Sequence, residues 1–145
     1  DAVAATKAAL AEGIVAGGGV TLVNLAGNLK VSGADSLSVG RQILKDALKQ
    51  PFLQIMKNAG LNADALLAQV ESSKPGFGVN VMKPEDGLID VKKAGVIDPA
   101  RVTKEAVQNA VSIASTAATM GALVVDIPEA EVAAAPGGMP GMGMM

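Results

Sequence analysis

The sequence predicts a mainly α, multihelical domain with a few short strands and a disordered C-terminal tail. Three observations lead there. First, residues of high helix propensity come in runs, beginning with Ala4, Ala5, Lys7, Ala8, Ala9, Leu10, Ala11 and Glu12, and glycine or proline closes each run. Second, half the residues are hydrophobic but only 1% are aromatic, and Phe52 and Phe77 are the sole examples. The core must therefore be built from Ala, Val, Leu, Ile and Met, whose small side chains let helices approach closely. Third, the last nine residues, Gly137 to Met145, hold four of the seven methionines and no charge. Glycine raises the entropy lost on ordering, and methionine makes shape-tolerant apolar contacts.

The elements follow in order. Asp1 can cap a helix running from Ala2 to about Val15, which the Gly17-Gly18-Gly19 triplet interrupts. Helical spacing resumes from Val20 to Leu29, and Lys30 to Asp35 reads as a loop broken by Gly33. Ser36 or Ser38 opens the clearest helix, with Val39, Ile43, Leu44, Ala47 and Leu48 on one face. Pro51 should kink it; the stripe continues through Phe52, Ile55, Met56 and Ala59, and Gly60 closes it. Asn62 caps a short helix from Ala63 to about Val70. Between Ser72 and Ile97 the pattern changes: Phe77 to Val81 reads as a strand and Leu88 to Ala94 as a brief helix. Asp98-Pro99 reads as a capping carboxylate followed by proline at the first helical position, opening a helix to about Met120. Its buried face would be Val102, Ala106, Ala110, Ile113, Ala114 and Ala117. Ala122 to Ile127 is a strand candidate.

Composition removes several chemistries. Without cysteine there are no disulfides and no thiolate catalysis or metal ligation, which suits a reducing compartment. Without histidine the commonest neutral-pH base and metal ligand are missing. A net charge of −2 with interspersed signs offers no basic stripe for nucleic acid. The start carries no signal-peptide pattern, and a chain opening on Asp reads as a processed product or a piece of a longer protein. The uncharged stretch between Glu105 and Asp126 is long enough to cross a bilayer, but its Gln, Asn, Ser and Thr residues favour a buried helix of a soluble protein.

A few residues carry possible chemistry. The glycine triplet would let a backbone approach a ligand while amides at the next helix start face an anion. It lacks the Lys-Ser or Lys-Thr of a Walker loop, so a plain helix break or close crossing stands beside that reading. Asp98 is a helix cap or an acceptor for a ligand hydroxyl. Asn80 is a turn residue or a polar contact in a pocket wall. Asp1 is a cap or, beside a phosphate, an acid orienting an attacking water. Asp86 and Asp90 read as solvated surface.

These signals fall in an order that resembles the group I chaperonins, the GroEL family. Asp1-Ala2 with Ala5-Thr6-Lys7-Ala8-Ala9, then Glu12 to Val20, then Ile97-Asp98-Pro99-Ala100-Arg101-Val102-Thr103 and the Gly-Gly-Met tail all resemble segments of that family, across the whole chain. The resemblance implies an ATP-hydrolysing subunit of heptameric rings, commonly stacked as double rings. These work with a GroES-type co-chaperonin on unfolded client proteins in the cytoplasm, with no membrane or nucleic-acid partner. It implies the following division: 1–8 as the end of the intermediate domain, 9–128 as the C-terminal half of the equatorial domain, and 129–145 as a flexible tail. Carried over by position, Asp1 matches the aspartate that activates water. Gly18 matches a glycine on the nucleotide, Asn80, Val81 and Met82 line the adenine and ribose, and Asp98 lies on the ribose side. The family commonly has Asn-Ala-Ala where this chain has Asn80-Val81-Met82, so bulkier side chains stand at the base pocket here. The family's Asp-Gly-Thr-Thr phosphate loop and its Mg²⁺ ligand are absent, so no residue here is assigned to the metal and the piece alone should not turn over ATP. The rival expectation is a helical assembly module with no nucleotide function.

Overall fold

The computed structural model describes residues 2–126. The expected roles of Asp1, of Ile127 in a strand and of the tail lie outside the described residues.

Helix α1 (Ala2–Glu12) lies on the surface with no buried residue. It stops at Glu12, short of the expected Val15. Gly13 turns left-handed at φ 81°, and the β-branched Ile14 and Val15, stiff at χ1 and suited to a pleated surface, open strand β1 (Ile14–Ala16). After the glycine triplet, α2 (Val20–Asn28) buries Val20, Val23 and Ala26. Helix α3 (Ser36–Ala47) begins at Ser36 and is capped by Asp35, whose Oδ1 accepts from the Ser38 amide at 3.1 Å. Buried Ser38 donates its hydroxyl to the Ser32 carbonyl at 2.6 Å.

Pro51 does not kink one long helix. It stands in the first turn of a separate helix, α4 (Gln50–Asn58), where its missing amide is one of those that have no partner within the helix. Gly60, at φ 72°, follows that helix, and Asn62 caps α5 (Ala63–Ser72) by accepting from the Ala65 amide at 3.2 Å.

Strand β2 (Phe77–Val79) is shorter than expected, and its partner is a correction. Leu88 to Ala94 does not form a helix: β3 (Leu88–Asp90) pairs antiparallel with β2, Gly78 opposite Ile89. A single 3₁₀ turn, Pro84–Asp86, and left-handed Gly87 return the chain. That tight return places the β-branched and leucine side chains alongside β2, and sheet pairing overrides the weak local helix preference.

Asp98 and Pro99 are also reassigned. They do not begin a helix: β4 (Ile97–Pro99) pairs antiparallel with β1, with Ile14 opposite Pro99, Val15 opposite Asp98 and Ala16 opposite Ile97. Helix α6 (Ala100–Thr119) follows with Pro99 at its cap and no side-chain cap bond.

The core gathers α2, α4, α5 and the β2–β3 hairpin around Phe52, which has 0% exposure, with Met56, Val20, Val23, Val70 and Val91. Helix α6 stands outside it. The face expected to be buried is open: none of its residues is buried, and Ile113 is 72% exposed. The apolar stripe is real, but among the described residues nothing covers it. A cleft of about 730 Å³ runs between α3 and α6, with Ile43, Ala47, Ala110 and Ala114 among its walls. Ala122 to Asp126 forms no strand, and Val124 there is 93% exposed. No helix among the described residues is long and apolar enough to cross a membrane.

Candidate functional site

The three glycines do three different things. Gly17 donates its amide to the Val96 carbonyl at 3.0 Å, and a Cβ there would stand 3.0 Å from the Ile97 backbone. Gly19, left-handed at φ 78°, precedes α2; a Cβ on it would meet the Phe52 backbone nitrogen and Cα at 2.8 Å. Gly17 thus fits the turn to β4, and Gly19 fits it to α4. Gly18, also left-handed at φ 65°, has only Val96 Cγ1 near its missing Cβ, at 3.7 Å. Its flank is the open one.

The sequence after the triplet finishes the turn. The Val20 amide bonds the Gly17 carbonyl and the Val23 amide the Gly19 carbonyl, each at 3.2 Å. Thr21 donates its hydroxyl to the Ala16 carbonyl at 2.7 Å. Among the described residues the amides of Gly18 and Gly19 have no hydrogen-bond acceptor. They sit at the positive end of the α2 dipole, an arrangement suited to an anion.

Two further segments come to the same end of α2. The Val96 amide bonds the Val91 carbonyl at 2.8 Å, so the turn at Gly95 (φ 79°) delivers Val96 onto Gly17 and Gly18. From the hairpin, Gly78 lies so close to Val20 that a Cβ would overlap Val20 Cγ2. Asn80 follows two residues later. Its Oδ1 accepts from the Met82 amide at 3.0 Å and its carbonyl from the Lys83 amide at 2.9 Å. Val81 packs against the core, whereas Met82 is 83% exposed.

Asp98 stands on the β1–β4 ladder, half-buried opposite Val15. Burial pushes its carboxyl above the ordinary carboxylate range. No described group hydrogen-bonds it to offset that cost. An uncompensated, partly desolvated carboxylate is a common mark of a ligand-binding group, and it suits a hydroxyl donor.

The fold therefore brings Gly18 and the Asn80 segment toward the first turn of α2, with Asp98 on the adjoining ladder. Asp1 lies outside the described residues. Sequence reasoning missed Thr21 and Val96, which shape the turn. A threonine two residues past the triplet and a glycine before Val96 were the available signals, each too common to single out. The arrangement can hold an anion and a hydroxyl-bearing group. Among the described residues no group of three or more acidic, His or Cys side chains gathers to hold a metal.

Comparison with known proteins agrees with this architecture. Residues 1–128 match the model of the TCP-1/cpn60 chaperonin family. The chain is 43% identical over 144 residues to Chaperonin GroEL 1 of Prochlorococcus marinus strain MIT 9215, covering 97% of this chain and 24% of that protein. It is 43% identical over 141 residues to the protein of the same name from strain MIT 9312, covering 95% and 23%. A crystal structure of a group III chaperonin in the open state superposes with a TM-score of 0.71 at 28% identity, over 81% of this chain and 25% of that one. The chain thus spans about a quarter of the length of these relatives. With the family model matched along all of the described fold, the chain belongs to the TCP-1/cpn60 chaperonin family.

Proposed function

We propose that this chain is the C-terminal part of an ATP-dependent chaperonin subunit and supplies one side of its nucleotide site. In this reading 1–8 end the intermediate domain, 9–128 form the C-terminal half of the equatorial domain, and 129–145 are the tail. The observation that carries it is the glycine turn at the start of α2, with two amides that have no acceptor among the described residues, an open flank at Gly18 and, on the adjoining ladder, Asp98, which no described group compensates. The donor chemistry fits part of a nucleotide. Amides at a helix N-terminus suit phosphate oxygens, and a carboxylate suits a ribose hydroxyl. Val81 and Met82 offer apolar surface to a base.

In that assignment Asp1 orients the attacking water, and the ligand of Mg²⁺ belongs to a part of the subunit beyond these residues. ATP with Mg²⁺ supplies the free energy for the working cycle. This chain's own residues bind and orient the nucleotide. The subunit works in a homo-oligomeric ring, heptameric and commonly doubled, in the cytoplasm, with a GroES-type co-chaperonin and unfolded clients.

The deciding experiment is Asp98→Ala in the full-length subunit, measured by ATP affinity and thermal stability together. A loss of affinity with stability kept supports the nucleotide reading. Unchanged affinity supports the assembly-module alternative, since Asp98 caps no helix and its removal should not loosen α6.

A further inference from the structure

Resting on the nucleotide reading above, we infer that Met82 is a peroxide-reactive site whose oxidation to the sulfoxide lowers the subunit's affinity for nucleotide, a reversible redox control of that site. Composition narrows the targets first. The chain has no Cys, His, Trp or Tyr, so the methionine thioether is the readily oxidised side chain it offers. Access then ranks the methionines among the described residues. Met56 is sealed in the core at 1% exposure, Met120 at the end of α6 is 49% exposed, and Met82 is 83% exposed. A peroxide oxygen must reach the sulfur, so Met82 comes first and Met56 last.

The backbone holds Met82 where the change is felt. The strand before it is anchored: Val79 is buried opposite Leu88, and Gly78 is pressed against Val20, the first residue of α2. Val81 packs against the core, and the Met82 amide donates to Asn80 Oδ1 at 3.0 Å. The main chain at Met82 is therefore ordered near the glycine turn while its side chain stands in solvent. In the reaction a sulfur lone pair takes one oxygen of hydrogen peroxide, the O–O bond breaks, and the other oxygen leaves as water. Sulfur loses two electrons and the peroxide gains them. The product is a polar, chiral sulfoxide in place of a flexible apolar thioether. In the nucleotide reading Met82 offers apolar surface to the base. A sulfoxide must shed bound water to make the same contact, so the base is held less tightly.

The full-length subunit is taken through a graded series of hydrogen peroxide. Sulfoxide is mapped at each methionine by peptide mass spectrometry, and the affinity for ADP, which shares the base and ribose of ATP, is measured on the same samples. Met82 should oxidise before Met120, and Met56 last. Bound ADP should slow oxidation at Met82 and not at Met120, a difference that exposure alone does not produce. Affinity should fall about tenfold as Met82 converts, the scale of one apolar side-chain contact, and should return after treatment with methionine sulfoxide reductases. Met82→Leu has no sulfur at this position, so its own starting affinity should hold through the same series. The inference is overturned if Met82 is not the first of the three to oxidise, if ADP leaves its rate unchanged, or if full conversion leaves affinity unchanged. It is equally overturned if Met82→Leu loses affinity to peroxide as the parent does. Should the untreated subunit bind no ADP, the nucleotide reading fails and this control with it, whereas binding that survives oxidation at Met82 overturns the control alone.

Discussion

At the scale of single residues, Asp98 and the glycines separate stability from binding. The Asp98 carboxyl titrates above its ordinary value of 3.8 because burial disfavours its charge. Between the unfolded and the raised folded value, the folded chain binds more protons than the unfolded one. Stability therefore falls as pH rises through that window and stays lower above it. Asp98→Asn removes the charge that burial penalises, so the variant should be no less stable than the parent at pH 7. The difference should fade at or below about pH 3.8, where both side chains are neutral. Thermal melts at several pH values check this; a variant clearly less stable at pH 7 would mean that Asp98 has a structural partner. The glycines make a second pair. Gly18→Ala should cost roughly 1–2 kcal/mol, the penalty of a left-handed alanine in otherwise open space. Gly19→Ala adds contact with the Phe52 backbone at 2.8 Å and should cost roughly 3 kcal/mol or more, since the core must move. Denaturant midpoints that rank the two the other way would contradict the packing described at α4.

At the scale of elements, caps and turns decide what was legible. Asn62 could be read from sequence because its cap is local, and the structure places its Oδ1 on the Ala65 amide. Asn62→Ala should destabilise the chain by about 1 kcal/mol, measured as a lower denaturant midpoint with unchanged slope. Asp35 caps α3 in the same way, and its bond to Ser38 holds its carboxyl below the ordinary range. Its contribution is present above pH 3.8 and is lost as pH falls through the lower folded value, opposite in sign to Asp98. The misreadings share a different cause. Neighbours within a turn or two predict helix for Val15 and Leu88 and a cap for Asp98, whereas their state depends on strand partners elsewhere in the chain, 83 residues apart for Val15 and Asp98. A capping carboxylate before proline is a sound local signal, but the ladder between β1 and β4 claims both residues first. The candidate site divides similarly. The glycine triplet stands out by composition alone, while the approach of Val96 and the bracing by Thr21 depend on that same long-range ladder. The role of Pro51 turned on one fact that sequence leaves open, namely whether α3 had already ended.

At the scale of the whole molecule, the uncovered side of α6 is the feature with the widest consequence. Its apolar stripe predicts a buried face, but that face is open: Val102 and Ile113 are 49% and 72% exposed. Two clefts, of about 590 and 730 Å³, share Leu22, Leu44, Leu48 and Val107 and so form one continuous apolar trough between α6 and the α2–α3 side. The ion pair from Lys104 to Glu12 at 2.6 Å fastens one edge of α6 to α1, but both partners are partly solvated, and such a pair adds at most about 1 kcal/mol. It cannot substitute for a covered face. Apolar patches of this extent promote association when left in water. The isolated 145-residue chain should therefore self-associate at micromolar concentration, seen by sedimentation, and bind an apolar fluorescent dye. Placing a charge in the trough, as in Ala110→Glu, should reduce both effects in the isolated chain, because association would then bury an unpaired carboxylate. The same substitution in the full-length subunit should impair folding or assembly if the trough is an internal surface there. A monomeric isolated chain that binds no dye would show that the trough closes on itself, with α6 packed against α3.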